Sequence, residues 1–133
     1  MKFTLNELAD HFITSAPATL SEISAIEIFF NYTFPTDYKD LLLVTNGLEG
    51  RTEKQYLVLW STHELMELNT AYQVKEFVSD LIIFGSDGAE DAFGFNTSGK
   101  TISVVKLPFI GMGYLPTEKL DDSFNSFLSS IGL

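Results

Sequence analysis

The chain has 133 residues, of which 45% are hydrophobic and 14% aromatic, enough for a sizeable core and too apolar for a disordered chain. Eighteen Asp and Glu against eight Lys and Arg give a formal charge of −10. A surface of that sign repels phosphate backbones and anionic lipids, which argues against nucleic-acid and membrane binding. It would attract a basic protein partner, but for an average acidic protein the simpler explanation is that the charge keeps the protein soluble.

The N-terminal residues, Met1 to Glu7, meet an acid before an apolar h-region can form, which argues against a signal peptide. The longest apolar runs are too short to cross a bilayer. Cysteine is absent, so disulfides, a thiolate nucleophile and Cys-based metal sites are excluded, and a reducing compartment is acceptable. We therefore expect a cytoplasmic protein whose residues 1–133 form a single domain.

The first half of the chain has helical periodicity. Residues 5–13 place apolar side chains on one face of a predicted first helix. Thr19 and Glu22 form a capping box that opens a second helix, which ends near Asn31. A third helix starts around Pro35, a proline tolerated in a first turn, and Asn46-Gly47 supplies its left-handed stop. A polar loop is expected after it.

The second half is predicted to be mostly strand. Residues 56–60 form a strand, and Ser61-Thr62-His63-Glu64 is a second capping box that opens a helix through about residue 72. Apolar or alternating runs predict further strands at 81–84, 92–96 and 101–106, the last two joined by a Ser98-Gly99 turn. After a short extended piece at 114–115, Asp121 is expected to cap a last helix. The prediction is an α+β domain, a mainly antiparallel sheet packed against N-terminal helices and a C-terminal helix.

The acidic residues are unevenly distributed. Two stretches without Lys or Arg, between Lys2 and Lys39 and between Lys75 and Lys100, each hold five acids. The segment Gly85 to Asp91 concentrates three of them, and both a plain turn and a binding loop fit it. Trp60 ends a strand, where a core position and a partner anchor are both open. The candidate partner-binding residues are Asp87, Glu90 and Asp91, supported by Asp80, Glu7, Asp10 and Trp60.

The best enzymatic pattern is His63-Glu64-Leu65-Met66-Glu67. On a helix His63 and Glu67 lie one turn apart, the spacing of two zinc ligands in a hydrolase. The second histidine of that motif is replaced here by a glutamate, and the only other histidine in the chain is His11. An acidic first turn with a solvated histidine is the better explanation of the pattern. We expect no catalytic residues, no metal and no cofactor.

Five segments in order, between about Thr19 and Leu128, resemble the SUKH superfamily, specifically the branch related to fungal cell-wall-assembly regulators. After a capped acidic helix, the family's L-P-x-D-Y, L-L-x-x-N-G, strand–helix, F-G-S-D-G and S-F-x-x-F-L stretches have counterparts here. These are Phe34-Pro35-Thr36-Asp37-Tyr38, Leu42-Leu43-Val44-Thr45-Asn46-Gly47, Leu59-Trp60-Ser61-Thr62-His63-Glu64-Leu65, the segment from Phe84-Gly85-Ser86-Asp87-Gly88 to Asn96, and Ser123-Phe124-Asn125-Ser126-Phe127-Leu128.

The resemblance implies a SUKH-like fold and, in bacteria, an immunity protein that neutralises a toxin domain, often a nuclease. An acidic inhibitor suits such a partner, because nuclease grooves are basic. Two alternatives remain open. One is a regulatory or scaffold interaction module without a toxin, as in the fungal relatives, and the other is a small metal-dependent hydrolase that uses His63 and Glu67. The oligomeric state is open as well.

Overall fold

A computed structural model describes residues 3–133; Met1 and Lys2, which enter the targeting argument above, lie outside this range. Within these residues, six helices and seven strands form an α+β fold, as predicted. In chain order they are α1 (Leu5–Ala9), β1 (Phe12–Thr14), α2 (Leu20–Phe30), α3 (Thr36–Leu42), β2 (Leu48–Arg51), β3 (Tyr56–Leu59), α4 (Thr62–Ala71), α5 (Val74–Phe77), β4 (Leu81–Ser86), β5 (Asp91–Asn96), β6 (Ser103–Pro108), β7 (Glu118–Asp121) and α6 (Phe124–Ser130).

The seven strands form one sheet in sequence order, β1 to β7, and every neighbouring pair is antiparallel. Antiparallel neighbours need only short connections, so the chain can build the sheet as a meander and insert α4 and α5 between β3 and β4. The predicted antiparallel sheet is confirmed. None of the helices within residues 3–133 combines the length and apolar character that a membrane span requires.

Both predicted capping boxes are present. The Thr19 hydroxyl accepts a hydrogen bond from the Glu22 amide at 3.1 Å, and the Glu22 carboxylate accepts one from the Thr19 amide at 2.9 Å. Ser61 and Glu64 repeat the arrangement at 3.2 and 2.9 Å. Each box satisfies amides that a helix start leaves unpaired, which is why α2 and α4 begin where the sequence predicts.

The core is strongly aromatic and lies against one side of the sheet. The Phe84 ring packs against Phe95, Phe124 and Tyr38 at centroid distances of 4.6, 5.5 and 5.8 Å. These four side chains are at most 1% exposed. They join β4 and β5 to α3 and α6, so the C-terminal helix is held by the same cluster as the third helix. We call this side of the sheet the core side.

Strand β3 separates the core side from the opposite side. Leu57 and Leu59 are buried in the core, whereas Tyr56 and Val58 are only half-buried and point the other way, because side chains alternate along a strand. Val58 stands opposite Glu49, which in turn stands opposite Ile13. Partners in register share a face, so these side chains lie on what we call the open side.

A side chain of helix α4 bonds the edge of β4 beyond the end of β3. Only two residues of β3 pair with β4, which leaves the first half of β4 without a strand neighbour there. The buried Asn69 amide of α4 occupies that edge: it donates to the Ile83 carbonyl at 2.8 Å and accepts from the Ile83 amide at 2.9 Å. The amide side chain thus satisfies the backbone of Ile83, which would otherwise be left open at this edge. The contact also fixes the end of α4 beside the open side.

The predicted helix over residues 5–13 is wrong in its second half. Helix α1 ends at Ala9, and Phe12–Thr14 form strand β1 against β2. Leu8 and Phe12 are buried as predicted, but Leu5 and Ile13 are 45% and 76% exposed. The spacing of the apolar residues over 5–13 fits a helix as well as a short helix followed by a strand. Pairing with β2 makes residues 12–14 a strand, in which Phe12 points inward and Ile13 outward.

Three further elements were not predicted. Strand β2 lies in the expected polar loop, α5 follows α4, and β7 precedes the last helix. Asp121 belongs to β7 rather than capping that helix, whose N-cap is Ser123, with its hydroxyl accepting from the Ser126 amide at 3.0 Å. The expected extended piece at 114–115 is a turn joined to Met112 by one isolated bridge.

Candidate protein-binding surface

The acidic loop, residues 87–90, connects β4 to β5 and is held by its own side chains. The Asp87 carboxylate accepts hydrogen bonds from the amides of Ala89 and Asp91 at 2.9 and 3.2 Å, and the Ser86 hydroxyl accepts one from Gly88 at 3.1 Å. Such side-chain bonds to nearby amides are typical of tight turns. The loop is therefore rigid, and Glu90 is displayed in solvent at its end.

Gly88 lets the loop lie directly against the sheet. Its φ angle is +79°, and a Cβ added there would stand 2.6 Å from a ring carbon of Tyr56. Only glycine adopts that φ at little cost and leaves room for the ring. The loop is consequently packed on the Tyr56 side chain, at the edge of the open side.

The predicted acidic residues form one group and two outliers. Asp87, Glu90 and Asp91 lie together at the β4–β5 turn. Asp80 precedes β4, at the other end of a strand whose six residues span about 20 Å. Glu7 and Asp10 belong to α1 and its C-cap, next to the β1 edge of the sheet. The structure thus brings three of the six carboxylates together, and partner binding by any of them remains a prediction.

None of these six carboxylates takes part in an ion pair within residues 3–133. The ion pairs found there use other acids: Glu27 with Lys39 at 3.3 Å, Glu118 with Lys106 at 3.5 Å and Asp122 with Lys119 at 2.6 Å. Glu67 also contacts His63 at 2.9 Å. In that part of the chain, the charge of the acidic loop is thus left to solvent and to whatever binds there.

Trp60 lies beneath the surface rather than on it. It is 5% exposed, and its ring stacks on Phe109 at 6.5 Å with an interplanar angle of 30°. Phe109 in turn packs against Tyr72 at 4.9 Å, and Tyr72 is 43% exposed. A partner that reaches this stack meets Tyr72 and Phe109 first. An anchoring role for Trp60 itself therefore remains a prediction that needs the covering rings to move.

His63 and Glu67 lie one turn apart on α4, as predicted. Their Nε2 and Oε2 atoms are 2.9 Å apart, and the side chains are 81% and 63% exposed. Among residues 3–133 no third His, Asp or Glu joins them in a metal-binding group. The pair has the geometry of a solvated helix-surface contact.

The open side contains a groove that the sequence did not predict. It lies between β3, the end of α4 and the segment that follows β6, and one wall is the acidic loop. Its apolar lining includes Tyr72, Phe109, Ile110 and Leu115. Apolar residues on either side of Gly111 and Gly113 were the available signal, but periodicity gives no information about which loop residues stay exposed.

Glu49 also lines the groove, next to Tyr56. The Tyr56 hydroxyl donates a hydrogen bond to Glu49 Oε2 at 2.6 Å. That hydrogen bond, with smaller contributions from desolvation and from the carboxylate charge, raises the pKa of Tyr56. The contact holds the carboxylate in one orientation across the open side.

The family comparison agrees with this architecture. The model of the SMI1 / KNR4 family (SUKH-1) matches residues 17–130, which include α2 to α6 and the acidic loop. A search of curated proteins finds no match. SUKH domains are known for toxin immunity and related functions, and they are generally non-catalytic protein-binding domains. Most of the chain is covered by the match, and the chain belongs to the SMI1 / KNR4 family (SUKH-1).

Proposed function

We propose that this protein is a cytoplasmic immunity protein that binds one cognate toxin domain, most simply a nuclease, and neutralises it by occupying a basic surface. Family membership supplies the class of function. The observation that carries the proposal further is the acidic loop together with the first residue of β5: Asp87, Glu90 and Asp91 lie together without an ion-pair partner among residues 3–133.

Electrostatic complementarity explains how such a protein acts without catalysis. A nuclease groove carries a positive potential that attracts phosphates, and clustered carboxylates on a rigid loop compete for the same potential. Because the loop is already held by hydrogen bonds, little conformational entropy is lost when a partner docks. The rest of the net charge of −10 steers the encounter at longer range.

Co-expression tests the proposal directly. The C-terminal domain encoded by an adjacent toxin gene is expressed with or without this protein, and growth and co-purification are scored. We expect protection and a stoichiometric complex. Glu90→Lys reverses an exposed loop charge and should weaken the complex, whereas Glu76→Lys, an equally exposed acid on α5, serves as the matched control. A toxin from an adjacent gene that is neither bound nor neutralised contradicts the proposal.

Salt dependence tests the electrostatic part separately. Raising ionic strength from about 0.05 to about 0.5 M shortens the Debye length severalfold. We expect the association rate constant, measured by stopped flow or surface plasmon resonance, to fall by about tenfold or more. An unchanged association rate would remove charge steering while leaving immunity itself intact.

The family match also fits a regulatory interaction module that binds no toxin. Gene neighbourhood separates the two functions, since an immunity gene lies beside its toxin gene. A protein without such a neighbour, and with a partner of another kind, would favour the regulatory module.

A further inference from the structure

The groove on the open side has the size of a peptide-binding site. Its volume is about 890 Å³. Val58 and Trp60 of the β3 region form part of its lining, and Phe109 lies over Trp60. The acidic loop and Glu49 both belong to its lining, and both adjoin Tyr56.

The groove exposes large apolar side chains that folding leaves uncovered. Ile110 is 91% exposed, Leu115 is 53% exposed and Tyr72 is 43% exposed. Single exposed apolar residues are ordinary, but several around one concave site mark a surface that meets a partner. The aromatic stack beneath them, Trp60–Phe109–Tyr72, gives a rigid apolar floor.

Two carboxylates and no Lys or Arg line the groove. Glu49 lies on β2 and Glu90 on the acidic loop. Tyr56 bonds one oxygen of Glu49, which leaves the other oxygen to accept from a ligand. Arg51 is the nearby base on the same strand, two positions beyond Glu49 at the end of β2, and it is not part of the lining.

We infer that this groove binds a segment of a protein partner in which an arginine or lysine stands beside apolar side chains. The aliphatic stem of the basic residue lies on the aromatic floor, and its charged end reaches Glu49 or Glu90. Phosphate backbones and anionic lipids do not fit, because the rim is acidic. A second copy of this chain, with its charge of −10, is disfavoured by repulsion. The inference rests on the proposed function only for the identity of the partner, which would be the toxin domain.

Nuclear magnetic resonance titration tests the site without a known partner. The probe is a short capped peptide with arginine between two leucines; matched probes replace the arginine by glutamate, or both leucines by glycine. Trp60 is the only tryptophan, so its indole resonance reports on the groove floor. We expect the arginine–leucine probe to shift Trp60, Tyr72 and Ile110, and to bind about tenfold more tightly than the glutamate probe.

Matched variants locate the binding. Ile110→Ser should weaken the arginine–leucine probe about tenfold, while Ile28→Ser, an 80% exposed isoleucine on α2, should change nothing. The double variant Glu49→Gln with Glu90→Gln should also cost about tenfold, with Glu76→Gln as its control. The glutamine at position 49 keeps an acceptor for the Tyr56 hydroxyl.

Several results would overturn the inference. These are equal shifts with all three probes, shifts confined to another surface, the absence of any shift, or groove resonances that move with protein concentration alone, which would indicate a second copy. The toxin test separates the two proposals: full protection by Ile110→Ser and by the double variant, with wild-type affinity for the toxin domain, would leave immunity intact and refute the groove. Peptide binding without any protection against the toxin would support the groove and refute the immunity function.

Discussion

The two sides of the β3 strand have different surroundings. On the core side, Leu57 and Leu59 are buried in the same core as an aromatic cluster whose ring centroids lie within about 6 Å of one another. On the open side, Tyr56 and Val58 line a groove bordered by carboxylates. A single alternation of side chains therefore separates the core contacts from the groove, which we propose is a binding site. Substitutions on the core side should change the free energy of unfolding, and those on the open side should change binding.

Truncation in the aromatic cluster gives the largest expected effect. Phe84→Ala removes a fully buried ring that packs against Tyr38, Phe95, Phe124 and Phe127, and should lower the free energy of unfolding by about 3–5 kcal/mol. Ile110→Ser on the open side should stay within about 0.5 kcal/mol. Urea unfolding of both variants measures the contrast, and equal losses would contradict it.

The acidic loop gives the next largest effect. Gly88→Ala places a Cβ against the Tyr56 ring at a φ of +79°, so we expect the free energy of unfolding to fall by about 1–3 kcal/mol. Gly99→Ala is the matched control, because its Cβ would meet nothing nearer than 3.6 Å. Thermal unfolding and amide exchange of loop residues measure both. A loss as large at Gly99 would mean that loop glycines matter only for chain entropy.

A polar atom in the core should give a smaller effect of opposite sign. The Tyr38 hydroxyl is buried and has no hydrogen-bond partner among the protein atoms of residues 3–133, and burial raises the pKa of Tyr38. Tyr38→Phe keeps the ring contacts and removes the unpaired oxygen, so we expect a gain of about 1 kcal/mol in urea unfolding. A loss of stability would indicate that the hydroxyl is hydrogen-bonded in solution.

The smallest effect concerns a tyrosine on the open side. Glu49→Gln should bring the raised pKa of Tyr56 back toward its ordinary value, because the carboxylate hydrogen bond is the largest cause of the shift. Since the folded-state pKa lies above the unfolded one, the contact stabilises the fold below about pH 10 and is lost as pH rises through the folded-state pKa. Carbon-13 resonances of the tyrosine rings measure it; Tyr38, shifted by burial, is the internal control that should not move.

Local sequence signals were sufficient for the elements that contain their own start and stop. Thr19 with Glu22, and Ser61 with Glu64, predicted where two helices begin, and both boxes are formed. The apolar run at 81–84 predicted a strand covered on both sides, and all of β4 is buried. These signals are predictive because the interactions behind them join residues within one helical turn or one strand.

Elements whose stability comes from a distant partner could not be predicted. Strands β1, β2 and β7 have three or four residues each, and β2 and β7 carry charged side chains. They are strands because their backbones hydrogen-bond to neighbouring strands. The spacing of apolar residues along the sequence does not predict that pairing. The same reason hid the groove, whose walls come from β2, the acidic loop and the segment after β6.

By itself, the sequence determined an acidic α+β fold, its capped helices, its aromatic core and the cluster of acids at 87–91. Only the tertiary structure decided which acids lie together, that Phe109 stacks on Trp60, and that Glu49 and Glu90 line the same apolar groove. Composition and periodicity are properties of neighbouring residues along the chain. A binding surface is made by strand register and loop packing, which bring distant residues together in space.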